Sequence, residues 1–257
     1  MASGKLYNGE KMKISVALSG GAARGAFHLG VLEALDEKGF QIEAISGSSI
    51  GSIVGASYAC GISPREQLDF FCSKAFKKII KFNYFDHSLL KIDAKNSILK
   101  EIMPAKNLED IKIKTYITTI DLISGKIVRF EKGDSITLCL ASSALIPLFK
   151  PIKYKDYRLA DGGIMDNLPI EPLKKHNLPI FGVDLHPDES SFKNTMSGIL
   201  KRMIVLAWRA SVQKNIDECD LYITNQKLSN YSLFKFKHLK DMFNLGYETA
   251  MQITSKD

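Results

Sequence analysis

Two short apolar runs near the start of the chain each end in a glycine turn and continue into a helix. Lys13 to Leu18 (KISVAL) leads into Ser19-Gly20-Gly21-Ala22-Ala23-Arg24-Gly25. Apolar residues at helical spacing follow from Phe27 to Leu35 (FHLGVLEAL), and Gly39 closes that helix. Ile42 to Gly47 is a second strand, which runs through Ser48-Ser49-Ile50-Gly51 into a helix reaching Tyr58. A strand–helix–strand–helix opening restricts the chain to an α/β fold with a mainly parallel sheet.

The remaining pattern is compatible with that start. Ser63-Pro64-Arg65-Glu66 combines a cap residue with proline at the first helical position, so a helix begins there. It carries Phe70, Phe71, Phe76, Ile79, Ile80 and Phe82 interleaved with Lys74, Lys77, Lys78 and Lys81. Such a face suits either solvent-facing lysines over a packed apolar stripe or a membrane surface. A short helix is expected from Ile92 to Met103. Strands are expected over Lys114–Asp121 and Lys126–Phe130 around a Ser124-Gly125 turn, and a helix over Ser135–Leu145. Leu148 to Leu159 reads as irregular with strand-like pieces, and Asp161-Gly162-Gly163 as a turn. Pro179 to Leu185 (PIFGVDL) reads as a buried central strand. Thr195 to Cys219 is the longest helical pattern, with Leu200, Met203, Ile204, Ala207 and Trp208 on one broad face. Leu221–Thr224 is a last strand and 238–253 a last helix. With no internal repeat or flexible linker, residues 13–257 read as a single domain, preceded by a flexible extension over 1–12.

Composition narrows the function classes. The chain has 257 residues, 45% hydrophobic and 25% charged, enough for one domain with a substantial core. The formal net charge of +7 is compatible with an anionic membrane surface or nucleic acid and requires neither. Cys60, Cys72, Cys139 and Cys219 are scattered, which argues against a zinc site or a disulfide framework and for a reducing compartment. No apolar run reaches the roughly 18 residues of a membrane span. Residues 1–12 lack the apolar stretch of a signal peptide. A cytoplasmic location follows as the expectation, with peripheral membrane contact as its extension.

The chemistry centres on Ser49. Gly47 and Gly51 flank it in a Gly-x-Ser-x-Gly pattern, which suits a serine held on a sharp strand-to-helix turn with its hydroxyl outward. The helix that follows directs its N-terminal amides at the turn and favours negative charge there. Small residues also simply let a helix pack close to a strand. The first glycine turn gathers N–H groups for an anion, either a phosphate or the oxyanion of an attacked ester. A dinucleotide fingerprint fails because Ala22 stands at its middle glycine, and a P-loop fails because Ala26 follows Gly25. An oxyanion hole fits better, since the ends of neighbouring strands converge. A serine needs a base. His176, His186 and His238 lie downstream without informative surroundings, and His28 suits packing or capping beside the glycine turn. Asp121, Asp161 and Asp184 follow strand-like segments.

These blocks together resemble the patatin-like phospholipase family. The resemblance rests on Leu18-Ser19-Gly20-Gly21-Ala22-Ala23-Arg24-Gly25 with His28-Leu29-Gly30-Val31-Leu32, and on Gly47-Ser48-Ser49-Ile50-Gly51. It continues through Ala141-Ser142-Ser143-Ala144 with Pro147 and Phe149, and ends with Asp161-Gly162-Gly163-Ile164-Met165-Asp166-Asn167-Leu168-Pro169. It spans residues 13–186 and implies a three-layer α/β/α fold and a serine–aspartate dyad with no histidine. Ser49 would be the nucleophile and Asp161 the base. The amides of Gly20, Gly21 and Ala22 would form the oxyanion hole, with Arg24 supporting the loop. Gly25, Gly47, Gly51, Gly162 and Gly163 would support these turns. No metal or cofactor is implied, and nucleic acid is not an expected partner. The implied activity is hydrolysis of lipid acyl esters, of the lipase, phospholipase A or lysophospholipase type. A lipid- or partner-binding protein that kept the fold, and an acyltransferase, are the alternatives. Ala22 departs from the family's usual third glycine; alanine keeps its N–H but disfavours positive φ.

Overall fold

The computed structural model describes residues 11–74, 76, 98–146, 148–188 and 194–254. Most of the expected extension and of the basic-aromatic stretch beyond Lys74, the start of the helix expected at Ile92, and Pro147 lie outside that range. Met12 does not extend freely: its carbonyl accepts the Gln41 N–H.

Eight strands form one sheet: β1 (Lys13–Leu18), β2 (Gln41–Ser48), β3 (Lys114–Asp121), β4 (Lys126–Phe130), β5 (Ile152–Tyr154), β6 (Tyr157–Asp161), β7 (Ile180–Val183) and β8 (Leu221–Ile223). The order is β5-β6-β3-β2-β1-β7-β8, with β4 also paired to β3. From β3 to β8 the pairings are parallel, and those of β3 with β4 and β6 and of β5 with β6 are antiparallel. The sheet is therefore mainly parallel with an antiparallel flank. β7 is fully buried, as its apolar sequence requires, although it lies next to the edge strand.

The helices are α1 (Gly25–Glu37), α2 (Ile50–Ala59), α3 (Pro64–Cys72), α4 (Ser135–Ser142), the single turn α5 (Gly163–Asp166), α6 (Met196–Ile216) and α7 (Leu239–Ile253). Ser63 caps α3 in a capping box: its hydroxyl accepts the Glu66 N–H while the Glu66 carboxylate accepts the Ser63 N–H. Side chains alternate across each strand. Ile14, Val16 and Leu18 of β1 enter a large core shared with α1 to α4 and α7, while Ala17 enters a second core with Ala44, Tyr116, Leu168 and Val212 on the opposite face. Helices on both faces of a central sheet give the expected three layers.

α6 divides its apolar face between the interior and the surface. Val205, Trp208 and Val212 turn inward, whereas Leu200 and Met203 are 52% and 60% exposed. The buried stripe is narrower than the hydrophobic pattern implied, because only the inward positions meet the sheet face and the loops beside it. Among the described residues no helix is long and apolar enough to cross a membrane.

Candidate active site

Strand register brings Ser49 and Asp161 together. Ser48 pairs with Thr118 on β3, and the next residue of β3, Thr119, pairs with Asp161 on β6. Strands lie about 4.8 Å apart, so residues flanking β3 on either side are within side-chain reach across it. On the other side of β2, Leu18 pairs with Gly47, which sets the Gly20 loop beside the same turn. All of this occurs at the carboxyl ends of the parallel strands, where open α/β sheets place their binding crevices.

Ser49 occupies a strained turn, with φ 52° and ψ −124°. A serine pays for that region of backbone space, and such strain persists only where the surroundings enforce it. Here they do. The Ser49 N–H donates to Ser142 Oγ at 2.8 Å, and Ser142 donates in turn to the Thr118 carbonyl at 2.7 Å. The Ser52 hydroxyl donates to the Ser49 carbonyl. The flanking glycines are required by contact: a Cβ on Gly47 would lie 2.5 Å from the Gly51 carbonyl, and one on Gly51 would lie 2.2 Å from the Leu18 carbonyl oxygen.

Asp161 ends β6 and is buried. Its Oδ1 accepts the Gly163 N–H at 2.8 Å, and the Ser49 side chain lies near enough to the carboxylate to favour its charged form. Burial raises its pKa from the usual 3.8 to about 6; the Gly163 amide and the Ser49 hydroxyl pull the other way without cancelling it. Gly162 and Gly163 do not make a simple turn. They begin α5, whose last residue, Asp166, is fixed by Arg129 at 2.6 Å.

The glycine loop is anchored from several sides. The Arg24 guanidinium is buried and donates to the Leu185 and Tyr231 carbonyls, and the Ala23 N–H donates to the Leu233 carbonyl. Gly25 starts α1 against Ile50. Ala22 has φ 48°, so the alanine sits in the region that favours glycine. The three loop amides differ in their partners. The Gly20 N–H already donates to Asn167 Oδ1 at 3.1 Å, whereas the Gly21 and Ala22 amides have no acceptor among the described residues.

Asn167 is the residue whose role the sequence did not reveal. It is fully buried; its Oδ1 holds the Gly20 amide, its Nδ2 meets His186 Nδ1 at 3.2 Å, and its own N–H donates to Ser211 Oγ. It joins the glycine loop to the segment that carries Asp161. The signal was its fixed place six residues after Asp161; the partner was invisible without the fold. Trp208 packs against the His186 ring, and a Cβ on Gly163 would lie 3.1 Å from both Asp161 Oδ1 and the Trp208 indole nitrogen.

The other candidates are engaged elsewhere. His28 is buried, contacts the Ser19 carbonyl through Nε2, and is held to a pKa of about 4 by burial, so it packs as expected. His176 meets the Tyr116 hydroxyl, and His238 lies exposed beside Asp241. His186 reaches the site only through Asn167 and Trp208. Asp184 is buried; burial favours its neutral form, but His186 and the Tyr222 hydroxyl outweigh it and keep its pKa below normal. Asp121 accepts from Arg158, Ser124 and Ile123 and closes the β3–β4 turn.

The fold and site thus define an α/β protein with a serine on a strained strand–helix turn, facing a buried carboxylate beside a glycine loop. The patatin-like phospholipase family model matches residues 16–174, and the chain belongs to that family. It is 30% identical over 205 residues to the uncharacterized NTE family protein Rv1063c of Mycobacterium tuberculosis, covering 75% of this chain and 56% of that protein. It is also 30% identical over 267 residues to Lysophospholipase NTE1 of Lodderomyces elongisporus, covering 91% of this chain and 18% of that protein. The chain therefore spans about half the length of the mycobacterial relative and a small part of the fungal one. The crystal structure of VipD from Legionella pneumophila shares the fold, with a TM-score of 0.56 at 15% identity, covering 94% of this chain and 66% of that one.

Proposed function

We propose that the chain is a serine acyl hydrolase acting on fatty acyl esters of lipids. The observation that carries this reading is the Asp161 carboxyl, buried against the Ser49 hydroxyl with its pKa raised to about 6. At neutral pH such a group is still ionised, yet it is a far better proton acceptor than an ordinary aspartate. Ser49 Oγ attacks the acyl carbonyl and passes its proton to Asp161. The carbonyl oxygen becomes an oxyanion, held by the unspent amides of Gly21 and Ala22, while Gly20 positions the loop through Asn167. Collapse releases the alcohol, which takes the proton from Asp161, and leaves an acyl-serine. Asp161 then accepts a proton from water as it attacks, and passes that proton to Ser49 Oγ as the C–Oγ bond breaks and the fatty acid leaves. General-base help is worth about 10²–10⁴ in rate, and one oxyanion donor roughly 2.7–4 kcal/mol. The loop therefore matters about as much as the base. The family membership and the relatives named as lysophospholipases support a lipid substrate.

The test is labelling by a fluorophosphonate probe together with hydrolysis of a p-nitrophenyl ester series, beside Ser49→Ala and Asp161→Ala. Wild type is expected to label and hydrolyse, and Ser49→Ala to do neither. Failure of wild type in both assays would turn the reading to a binding protein. Faster transfer to an added alcohol than to water would turn it to an acyltransferase. An active Asp161→Ala beside an inactive His186→Ala or His238→Ala would replace the dyad with a triad.

A further inference from the structure

A cluster of apolar side chains sits beside Asp161. Leu145, Val205, Trp208 and Leu233 are buried together, with Phe149 and Ile204 packed against them. The cluster touches the site directly, because the Asp161 N–H donates to the Ala144 carbonyl and the Trp208 indole lies over Gly163. Each segment that contributes to it also sends large apolar residues outward. α6 exposes Met196, Ile199, Leu200, Met203 and Leu206, spaced at helical intervals along one face. Leu148 and Phe234 are exposed next to the half-buried Phe149 and the buried Leu233. Ile164 and Met165 of α5, which packs on α6, complete the rim. Soluble surfaces scatter such residues singly; a set gathered on the segments that pack around one buried cluster marks an interaction surface.

The charges on these segments indicate the partner. Residues 148–155 (LFKPIKYK) hold three lysines and no acid, and 233–240 (LFKFKHLK) hold another three and no acid. On α6, Arg202 is a further cation, whereas Arg209 is paired with Asp184 and Asp188. Asp156 and Asp241 adjoin the two lysine segments, and cations still outnumber them. Apolar side chains on segments with such a basic excess complement the surface of an anionic bilayer, where acyl chains take up the former and lipid head groups attract the latter.

We infer that this rim, centred on the outward face of α6 from Met196 to Leu206, is the surface by which the protein docks on an anionic lipid bilayer, with the Ser49–Asp161 site beside it. The inference rests on the lipid-ester reading of that site, but it concerns binding and can be measured without turnover.

The experiment is co-sedimentation of the Ser49→Ala protein with phosphatidylcholine vesicles, with and without added phosphatidylglycerol. It is repeated on Leu200→Glu/Met203→Glu and on Arg202→Glu, each in the Ser49→Ala background. Binding to the anionic vesicles is expected, and it should fall roughly tenfold or more in the double variant. Arg202→Glu should lose only the anionic preference. With Ser49 intact, the double variant should hydrolyse a soluble short-chain ester within about twofold of wild type, as surface changes remote from the chemistry do. Undiminished vesicle binding by the double variant overturns the inference. So does failure of the parent to bind either vesicle, and so does a dimer in light scattering that the double variant abolishes, which would assign the face to a second copy. An absence of ester hydrolysis in wild type, with vesicle binding intact, would instead overturn the hydrolase reading alone.

Discussion

Asp121 and Asp161 end neighbouring strands of the same sheet, and their environments push them in opposite directions. Asp121 takes up the amides of Ile123, Ser124 and Arg158 and the Ser124 hydroxyl. The Arg158 amide leads in lowering its pKa from 3.8 to about 2. Asp161 is buried with one backbone amide and the Ser49 side chain, and burial raises it to about 6. Asp121 has its lone pairs filled by its own turn; it stabilises the fold and has nothing left to offer a substrate. Asp161 is left under-solvated and proton-hungry. A carboxylate acquires chemical work through the donors it is denied.

The most drastic way to break this comparison is to neutralise the reserved carboxylate. Asp161→Asn should lower kcat/KM by about 10²–10⁴, while Asp121→Asn should leave it within about threefold if the protein is assayed while folded. Equal losses in the two variants would contradict the division of roles. The pH profile sharpens it further: log kcat/KM should fall on the acid side with an apparent pKa near 6, the value of the Asp161 carboxyl. A limb near pH 4 would mean the base is an ordinary, hydrated carboxylate.

Stability should move in the opposite sense. Asp161 binds its proton more tightly folded than unfolded. Its burial therefore costs nothing well below its unfolded pKa, and stability falls as pH rises from about 4 through 6. Asp161→Asn should then raise the unfolding free energy at pH 7 by up to about 3 kcal/mol, measured by urea denaturation. Asp121 is depressed, so its contribution is present above about pH 4 and is lost as pH falls toward 2. Asp121→Asn should lower Tm at pH 7 and flatten the acid-unfolding curve in that range. A stabilising Asp121→Asn would remove the contrast.

The smallest expected effect concerns backbone rather than charge. Ala22 and Ser49 hold positive φ at the site, as Lys155 and Asn177 do in surface turns. Ala22→Gly relieves the strain but frees the unfolded chain, so stability should rise by no more than about 1 kcal/mol, with activity within about threefold. A large gain in activity would show that alanine distorts the amides it carries.

The parts of the site that chemistry ties to residue type and spacing were legible in the sequence. Ser49 between its two glycines, and Asp161 before its own pair, could be picked out by spacing, because close backbone contact leaves the glycine positions few alternatives. The strands over 114–121 and 126–130 stand on either side of the Ser124-Gly125 turn, as expected. Roles that depend on a distant partner were not legible. Ser142 and Asn167 belong to recognisable blocks, but nothing in their neighbourhoods names Ser49 or Gly20 as the group they hold. The loss of the Gly20 amide to Asn167 follows from the same limit. Single-turn α5 was hidden because two glycines read as a break, whereas they begin a helical turn that Asp166 closes through Arg129. The helical pattern over 195–219 put Leu200, Met203 and Trp208 on one broad face, and hydrophobic periodicity alone could not say which of them turn inward.

The bond from Gly20 to Asn167 also bears on the order of events as the chain folds. It joins residues 147 positions apart, and Ser142 reaches back 93 positions to steady Ser49. Contacts of such separation form late, because long loops must close before they are rewarded. A nascent chain that has exposed Ser49 but not yet delivered Asn167 has an unbraced loop and no buried carboxylate. Until both loops have closed, the Ser49 turn lacks its bond to Ser142 and the glycine loop lacks its bond to Asn167.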